Sequence, residues 1–435
     1  MKKIFVVLFL AISSMGVCAN SIFLKDSDAA FAEAKKSKKP ILIDFFGIWC
    51  PPCNEMNETV FESRAFLEKS KAFVLTAVDV DAKDSWKLKN KYHVGGYPTY
   101  IFATAAGKEI YRVVGSRSEK EFLRVMGLVL SEKSSDFSNA CRSAKVDDLW
   151  RCAVTCSERD DKPCAEKAYT KLSRLLSPGS ARFELARSYA VDHEVNEDLK
   201  RNGYERLMNE FPDSPSALVW ASEYFDTFAE NTPVKPKREP VEKVLTQYPK
   251  MASDARLDEL GLDSTDLAEM RADLLSKLGR KEESRAAWKE AAQLLENRAN
   301  ELPAGVSARG FTIERIYCLQ SAGDLDAALK LTEQYREKYP DEFTFHFWAA
   351  RILDEAKKYP EASKAAKKMY EKSYGDNKLR AAALYINILA ALSDKQSAKD
   401  IHDEMANQYP KDAQTPARTL RYLKDIDEAY KKSQS

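Results

Sequence analysis

The stretch Ile41-Leu42-Ile43-Asp44-Phe45-Phe46-Gly47-Ile48-Trp49-Cys50-Pro51-Pro52-Cys53 decides how this chain is read. Its first six residues are apolar except for Asp44, the pattern of a strand buried on both faces. Met56, Val60, Phe61, Phe66 and Leu67 carry helical spacing over 53–70, so the two cysteines stand where a strand hands over to a helix. Two thiols at this spacing suit reversible disulfide exchange. The first, exposed, attacks as a thiolate, and the second, one turn inside, closes the ring. A CxxC can also be half of a zinc site; the place between buried strand and helix favours redox chemistry.

Outward from this stretch, helix and strand alternate from Ser27 to about Leu130. Ala29 to Lys38 reads as a helix stopped by Lys39-Pro40, Phe73 to Val80 as a second strand, and Asp84 to Tyr92 as a short helix. Thr99 to Ala103 and Ile110 to Val114 read as a hairpin around Ala106-Gly107-Lys108, and Glu119 to Leu130 as a closing amphipathic helix.

At 435 residues the chain calls for more than one domain. A hydrophobic content of 44%, a charged content of 31% and a net charge of +1 describe a soluble globular protein. They offer no basic stripe for nucleic acid. The four histidines, His93, His193, His346 and His402, form no metal-binding pair. Met1-Lys2-Lys3, the apolar run Ile4 to Ile12 and Val17-Cys18-Ala19 read as a signal peptide over 1–19. An uncleaved anchor or a lipid on Cys18 are the alternatives. Export to a periplasmic or extracellular, oxidising compartment is therefore expected, with no membrane association after cleavage. Of eight cysteines, removing Cys18 leaves seven, so at least one thiol is unpaired.

Asp44, Trp49-Cys50-Pro51-Pro52-Cys53 and Gly96-Tyr97-Pro98-Thr99 together resemble the thioredoxin family, in particular exported thioredoxin-like domains such as the C-terminal domain of DsbD. The resemblance covers roughly the first quarter of the chain and implies an α/β thioredoxin fold over 20–133. It implies Cys50 as the attacking and Cys53 as the resolving catalytic cysteine. Tyr97-Pro98 would be the loop with a cis peptide beside the disulfide, Trp49 the indole packed next to the site, and Asp44 a buried acid behind the second cysteine. Asp44 could instead be a hydrogen-bonded core residue, Trp49 mere packing and Pro98 an ordinary turn proline. A desolvated Asp44 would have a raised pKa, suited to proton transfer with Cys53. One departure stands out: Ala77 occupies the place where many cytosolic thioredoxins carry a buried lysine.

Cys50 at a helix N-cap would have its thiolate favoured by free N–H groups and the macrodipole. Pro51 and Pro52 remove two of those donors, and no histidine lies between the cysteines. A reducing or intermediate couple is therefore expected rather than a strong oxidant.

Ser131 to Ser138 is polar, and a linker is expected over 134–139. Beyond it the chain is helical in pattern and repetitive. Tyr339, Tyr374 and Tyr409 lie 35 apart, as do Tyr335 and Tyr370, and Ala327 and Ala362. Pro340, Gly375 and Pro410 follow the tyrosines as expected helix stops. This period, with Leu275 to Arg280, Ala286-Ala287 and Ala291, resembles tetratricopeptide repeats and implies an all-α solenoid. Cysteine-stapled repeats are expected over 140–232, a Pro-rich loop over 233–240 and further repeats over 241–435. Cys141, Cys152, Cys156 and Cys164 lie within 24 positions and read as two structural disulfides, with zinc or a redox relay as alternatives. Three connectivities are open; the reading leans to Cys141–Cys152 and Cys156–Cys164. Cys318 reads as a buried free thiol.

The function expected is an exported thiol–disulfide oxidoreductase without metal or cofactor. Its partners would be proteins bearing disulfides or thiols and a membrane electron donor or acceptor protein, and its repeats would hold clients. The alternatives are a non-catalytic interaction protein with a thioredoxin-like adaptor, and a dimeric disulfide isomerase.

Overall fold

The computed structural model describes residues 22–82, 85–131, 137–159, 161–192, 194–228, 235–409 and 417–434. The expected signal peptide over 1–19, the linker residues 134–136, His193, Pro233 and Pro410 lie outside the described residues.

The N-terminal elements run α1 (Ser27–Ser37), β1 (Ile41–Phe46), α2 (Pro51–Met56), α3 (Arg64–Ser70), β2 (Val74–Asp79), α4 (Ser85–Tyr92), β3 (Thr99–Ala103), β4 (Glu109–Val114) and α5 (Glu119–Ser131). Among the described residues the strands form one sheet in the order β2-β1-β3-β4. β1 pairs parallel with β2 and antiparallel with β3. The alternation of side chains along β1 makes two cores. Ile41, Ile43 and Phe45 pack with Ala30, Ala34, Tyr92 and Ile101 on one face. Leu42 packs on the other with Met56, Phe61, Phe66, Phe102 and Phe122. Asp44 belongs by this alternation to the second face, which α2 and α5 cover.

The helix expected over 53–70 is broken. After α2 the backbone widens into a π-helical turn over Asn57–Phe61, which buries Glu58, Val60 and Phe61 together. Ser63 then caps α3, its hydroxyl accepting from Phe66 N at 3.1 Å.

The linker expected over 134–139 is shorter, because helix α6 (Phe137–Arg142) takes its last residues. Disulfides join Cys141 of α6 to Cys152 of α7 (Val146–Glu158), and Cys156 of α7 to Cys164 of α8 (Lys162–Ser173). The loop expected over 233–240 ends early for a related reason. Pro240 sits in the first turn of the helix Glu239–Thr246, where its missing N–H leaves nothing unpaired.

Antiparallel helix pairs then stack into a tetratricopeptide-like solenoid. Ser264–Lys277 packs on Lys281–Glu301, Phe343–Glu355 on Tyr359–Lys372, and Gly375–Ala391 against its neighbours on both sides. Alanines let the helices approach: Ala268, Ala272, Ala287 and Ala291 are fully buried. Gly375 does not stop a helix as expected. The preceding helix ends at Lys372 with Ser373 as its C-cap, Tyr374 is the N-cap of the next, and Gly375 is its first residue.

The solenoid closes onto the α/β domain, and the helix Arg309–Ser321 packs directly on α2. Two glycines permit the approach. A Cβ on Gly310 would stand 2.6 Å from Glu55 N and 2.9 Å from Pro51 O. A Cβ on Gly375, whose φ is +56°, would stand 2.2 Å from Asp81 O. Neither neighbour is a side chain that could turn aside. Gly375→Ala should therefore cost about 1–3 kcal/mol in urea unfolding, and should raise the rate at which the reduced protein's Cys50 is alkylated. A variant with unchanged stability and thiol reactivity would show that this close approach is dispensable.

Candidate active site

Cys50 is the N-cap of α2, and its backbone N–H donates to Gly47 O at 3.1 Å. Its Sγ accepts from Cys53 N at 3.2 Å and is bonded to Cys53 Sγ. Pro51 and Pro52 occupy the first turn, so the Cys53 N–H is the first one there able to point at the sulfur. Asn54 Nδ2 donates to Ile48 O at 3.1 Å and to Cys50 O at 2.7 Å, which ties the loop before the disulfide to the helix after it. The Tyr97–Pro98 peptide is cis, and the Tyr97 ring meets Trp49 edge-on at 6.3 Å.

Asp44 is buried, and its Oδ1 has no hydrogen-bond partner. Its ladder neighbours are Ala77 on β2 and Tyr100 on β3, so the residue beside it brings no cation. Burial alone pushes its carboxyl up to about 8.

The first sulfur was expected to be exposed. Cys50 is instead 3% exposed and Cys53 2%. The solenoid meets the domain around this site. Trp49 Nε1 donates to Asp81 Oδ2 at 2.6 Å, and Asn377 Nδ2 from the repeats donates to the same oxygen at 2.6 Å. Tyr374 OH donates to Asp79 Oδ2 at 2.6 Å, and Arg418 Nη1 to Tyr97 OH at 3.3 Å. Beneath α2, the carboxylate of Glu58 accepts from Gly310 N at 3.0 and 3.1 Å, capping the N-terminus of the helix Arg309–Ser321. Glu55 pairs with Arg298. Burial pushes Glu58 up to about 8 against these backbone bonds, and Asp81 up to about 6 against its bond from Trp49.

Cys50, Cys53, Trp49, Tyr97 and Pro98 thus stand together, and Asp44 lies on the sheet face that α2 covers. Cys141, Cys152, Cys156 and Cys164 belong to a separate core with Leu149, Ala153 and Tyr189. Their sulfurs lie within 4.8 Å of one another, but paired as disulfides they offer a metal no thiolate. Cys318 is a buried free thiol that donates to Glu269 Oε1 at 3.1 Å, and burial pushes its pKa up. Asp81, Glu58, Gly310 and Asn377 were not singled out in the sequence, and Gly375 was read only as a helix stop. The one available signal was Gly375, standing where the repeat elsewhere carries Pro340 and Pro410.

Residues 27–130 match the family described as thioredoxin-like domain. Thioredoxin H-type of Oryza sativa subsp. indica is 36% identical over 95 residues, 21% of this chain and 70% of that protein. The chain belongs to the thioredoxin family. The thiol:disulfide interchange protein DsbD of Vibrio cholerae is 32% identical over 104 residues, 23% of this chain but only 17% of that protein's length. A solved tetratricopeptide repeat protein from Parabacteroides merdae aligns over 67% of this chain and 99% of its own, at 12% identity and a TM-score of 0.39. In this chain every described element after β4 is a helix.

In the thioredoxin domain the folded chain holds a proton on Asp44 that the unfolded chain loses above about pH 4. The stability this provides is complete below the unfolded pKa and is lost as pH rises to about 8. Glu58 adds a slope of the same sign. Asp44→Asn should flatten the fall in stability between about pH 5 and pH 9 and leave the variant ~1–3 kcal/mol more stable at the alkaline end. Urea unfolding across that pH series is the check; an unchanged slope would mean Asp44 is not the buried acid described.

Proposed function

We propose that the protein is an exported thiol–disulfide oxidoreductase that reduces disulfides of client proteins through Cys50 and Cys53. The observation that carries this reading is the Cys50–Cys53 bridge at the N-cap of α2, with a buried, unpaired carboxyl on the sheet face that α2 covers. In the reduced protein the Cys50 thiolate attacks one sulfur of a client disulfide. The client S–S bond breaks, a Cys50–client bond forms, and the departing client sulfur takes up a proton. Cys53 gives its proton to ionised Asp44, attacks Cys50 Sγ and releases the client's second thiol. Two electrons have moved to the client, and the Cys50–Cys53 bond is restored. A carboxyl pushed up to about 8 by burial is a strong enough base to take the Cys53 proton.

The direction follows from solvation. A thiolate on Cys50 receives few helix donors and lies in a nearly dry site, so the reduced form is poorly stabilised. A couple of that kind gives electrons readily. A separate membrane-bound dithiol donor would return the two electrons; among the described residues no helix is long and apolar enough to cross a membrane. A measured potential near about −120 mV, the range of strong oxidants, would overturn the reducing direction.

The burial of Cys50 favours one second reading, a redox-silent adaptor in which the repeats alone bind partners. Trapping separates the two. Cys53→Ala should accumulate client proteins as mixed disulfides on Cys50, released by dithiothreitol, and Cys50→Ala should accumulate none. Equal, empty captures from both variants would leave the adaptor.

A further inference from the structure

Beside the disulfide, the solenoid and the thioredoxin domain enclose a cavity of about 210 Å³. Trp49 and Pro51 form one wall, and Phe347, Trp348, Arg351 and Arg380 the other. Rings and guanidinium groups alternate along it. Arg380 lies 5.7 Å from the Trp49 ring and 5.3 Å from Phe347. Arg351 lies 5.8 Å from Phe347 and 5.2 Å from Trp348.

Arginines elsewhere in this protein meet carboxylates: Arg298 meets Glu55 and Asp263, Arg309 meets Glu342, and Arg418 faces Asp376 at 3.6 Å. Arg351 and Arg380 have no carboxylate ion pair among the described residues. Among the described residues Arg380 donates to Asn377 Oδ1, at 3.3 Å. Cation–π contact holds the two guanidinium planes but uses their faces. Their in-plane N–H groups, the edge that binds carboxylates in pairs, have no carboxylate there. Two cations line the same space, Arg380 drawn out of water by burial and Arg351 half-buried, with apolar rings on either side; they ask for a negative charge carried on an apolar segment.

We infer that this cavity docks an acidic segment of the client protein, a Glu or Asp carboxylate seated between Arg351 and Arg380 with a neighbouring apolar side chain against Phe347 and Trp348. The inference rests on the reading of the protein as one that acts on client proteins, and it names which clients. Those whose cysteine has an acidic and an apolar residue nearby would be held with their sulfur close to Cys50. The repeats then serve as a selective mouth to the site as well as its cover.

The test uses the oxidised full-length protein and cysteine-free capped peptides containing one phenylalanine and one glutamate, glutamine or lysine, so no thiol chemistry is involved. Calorimetry at low salt should show the glutamate peptide binding on the order of tenfold more tightly than the glutamine one, with the gap closing as salt rises. Arg351→Gln with Arg380→Gln should abolish the difference. Arg351→Glu should reverse the order in favour of lysine, a gain that a misfolded variant cannot produce. Equal binding of the three peptides, binding of none, or a glutamate preference that survives the double substitution would overturn the inference. Failure of the Cys53→Ala trap alongside a clear glutamate preference would sink the redox reading and leave the docking site standing.

Discussion

Everything about the site follows from how closely the repeat backbone comes to α2. Glu58 lies in the π-helical turn beneath the disulfide, and its hydrogen-bond donors among the described residues are main-chain groups of the helix Arg309–Ser321. A carboxylate removed from water costs several kcal/mol unless donors replace its hydration. The N-terminus of a helix offers such donors, already aligned by its dipole. The offset is partial, because Glu58 is still pushed up to about 8. This makes the contact sensitive to geometry: a side chain at position 310 would lift the N–H groups away and leave the acid buried with nothing. Gly375 imposes the same condition at the Asp81 corner.

The same closeness sets the electrostatics around the sulfurs. Asp44, Glu58 and Asp81 all have pKa values moved up by burial. A medium that disfavours three carboxylates disfavours a thiolate too, since the cause is lost hydration. The prolines after Cys50 work the same way, by withholding donors from the first turn. Cover and local sequence therefore both weaken the reduced form, and the expected direction of electron flow does not hang on a single residue.

Much of the thioredoxin domain was legible in the sequence because its signals are local. The apolar run Ile41 to Phe46 and the spacing of Met56, Phe61 and Phe66 each report on local structure and its core face. The four strands emerged within a residue or so of their expected ends. The repeats were legible through alanine and tyrosine periodicity, as a type of structure. What could not be read was the way the two parts meet. Glu55, Glu58 and Asp81 look in the sequence like solvated charges of a helix or loop, and nothing local pairs Glu58 with a backbone group 252 positions away. The exposure expected for Cys50 was inferred from the domain alone, and in the full chain the sulfur is buried. Gly375 is the instructive case. Its departure from proline in the repeat was visible, but the meaning of the change, a backbone contact with Asp81, depends on curvature accumulated over several helix pairs.

The cover also bears on what the solenoid is for. A lid with no other task would be served by apolar packing, which stabilises without the cost of desolvating charge. The contacts here are largely polar and convergent: Asn377 and Trp49 share one Asp81 oxygen, Tyr374 meets Asp79, and Arg418 meets Tyr97. Polar contacts of this kind exchange for others at modest net cost, since each group can be satisfied by water or by a partner's side chain. Trp49 and Tyr97 are therefore held by bonds that an arriving chain can replace one at a time. An interface built this way can yield to a client that brings its own donors and acceptors, and it stays closed to bulk water when none is present.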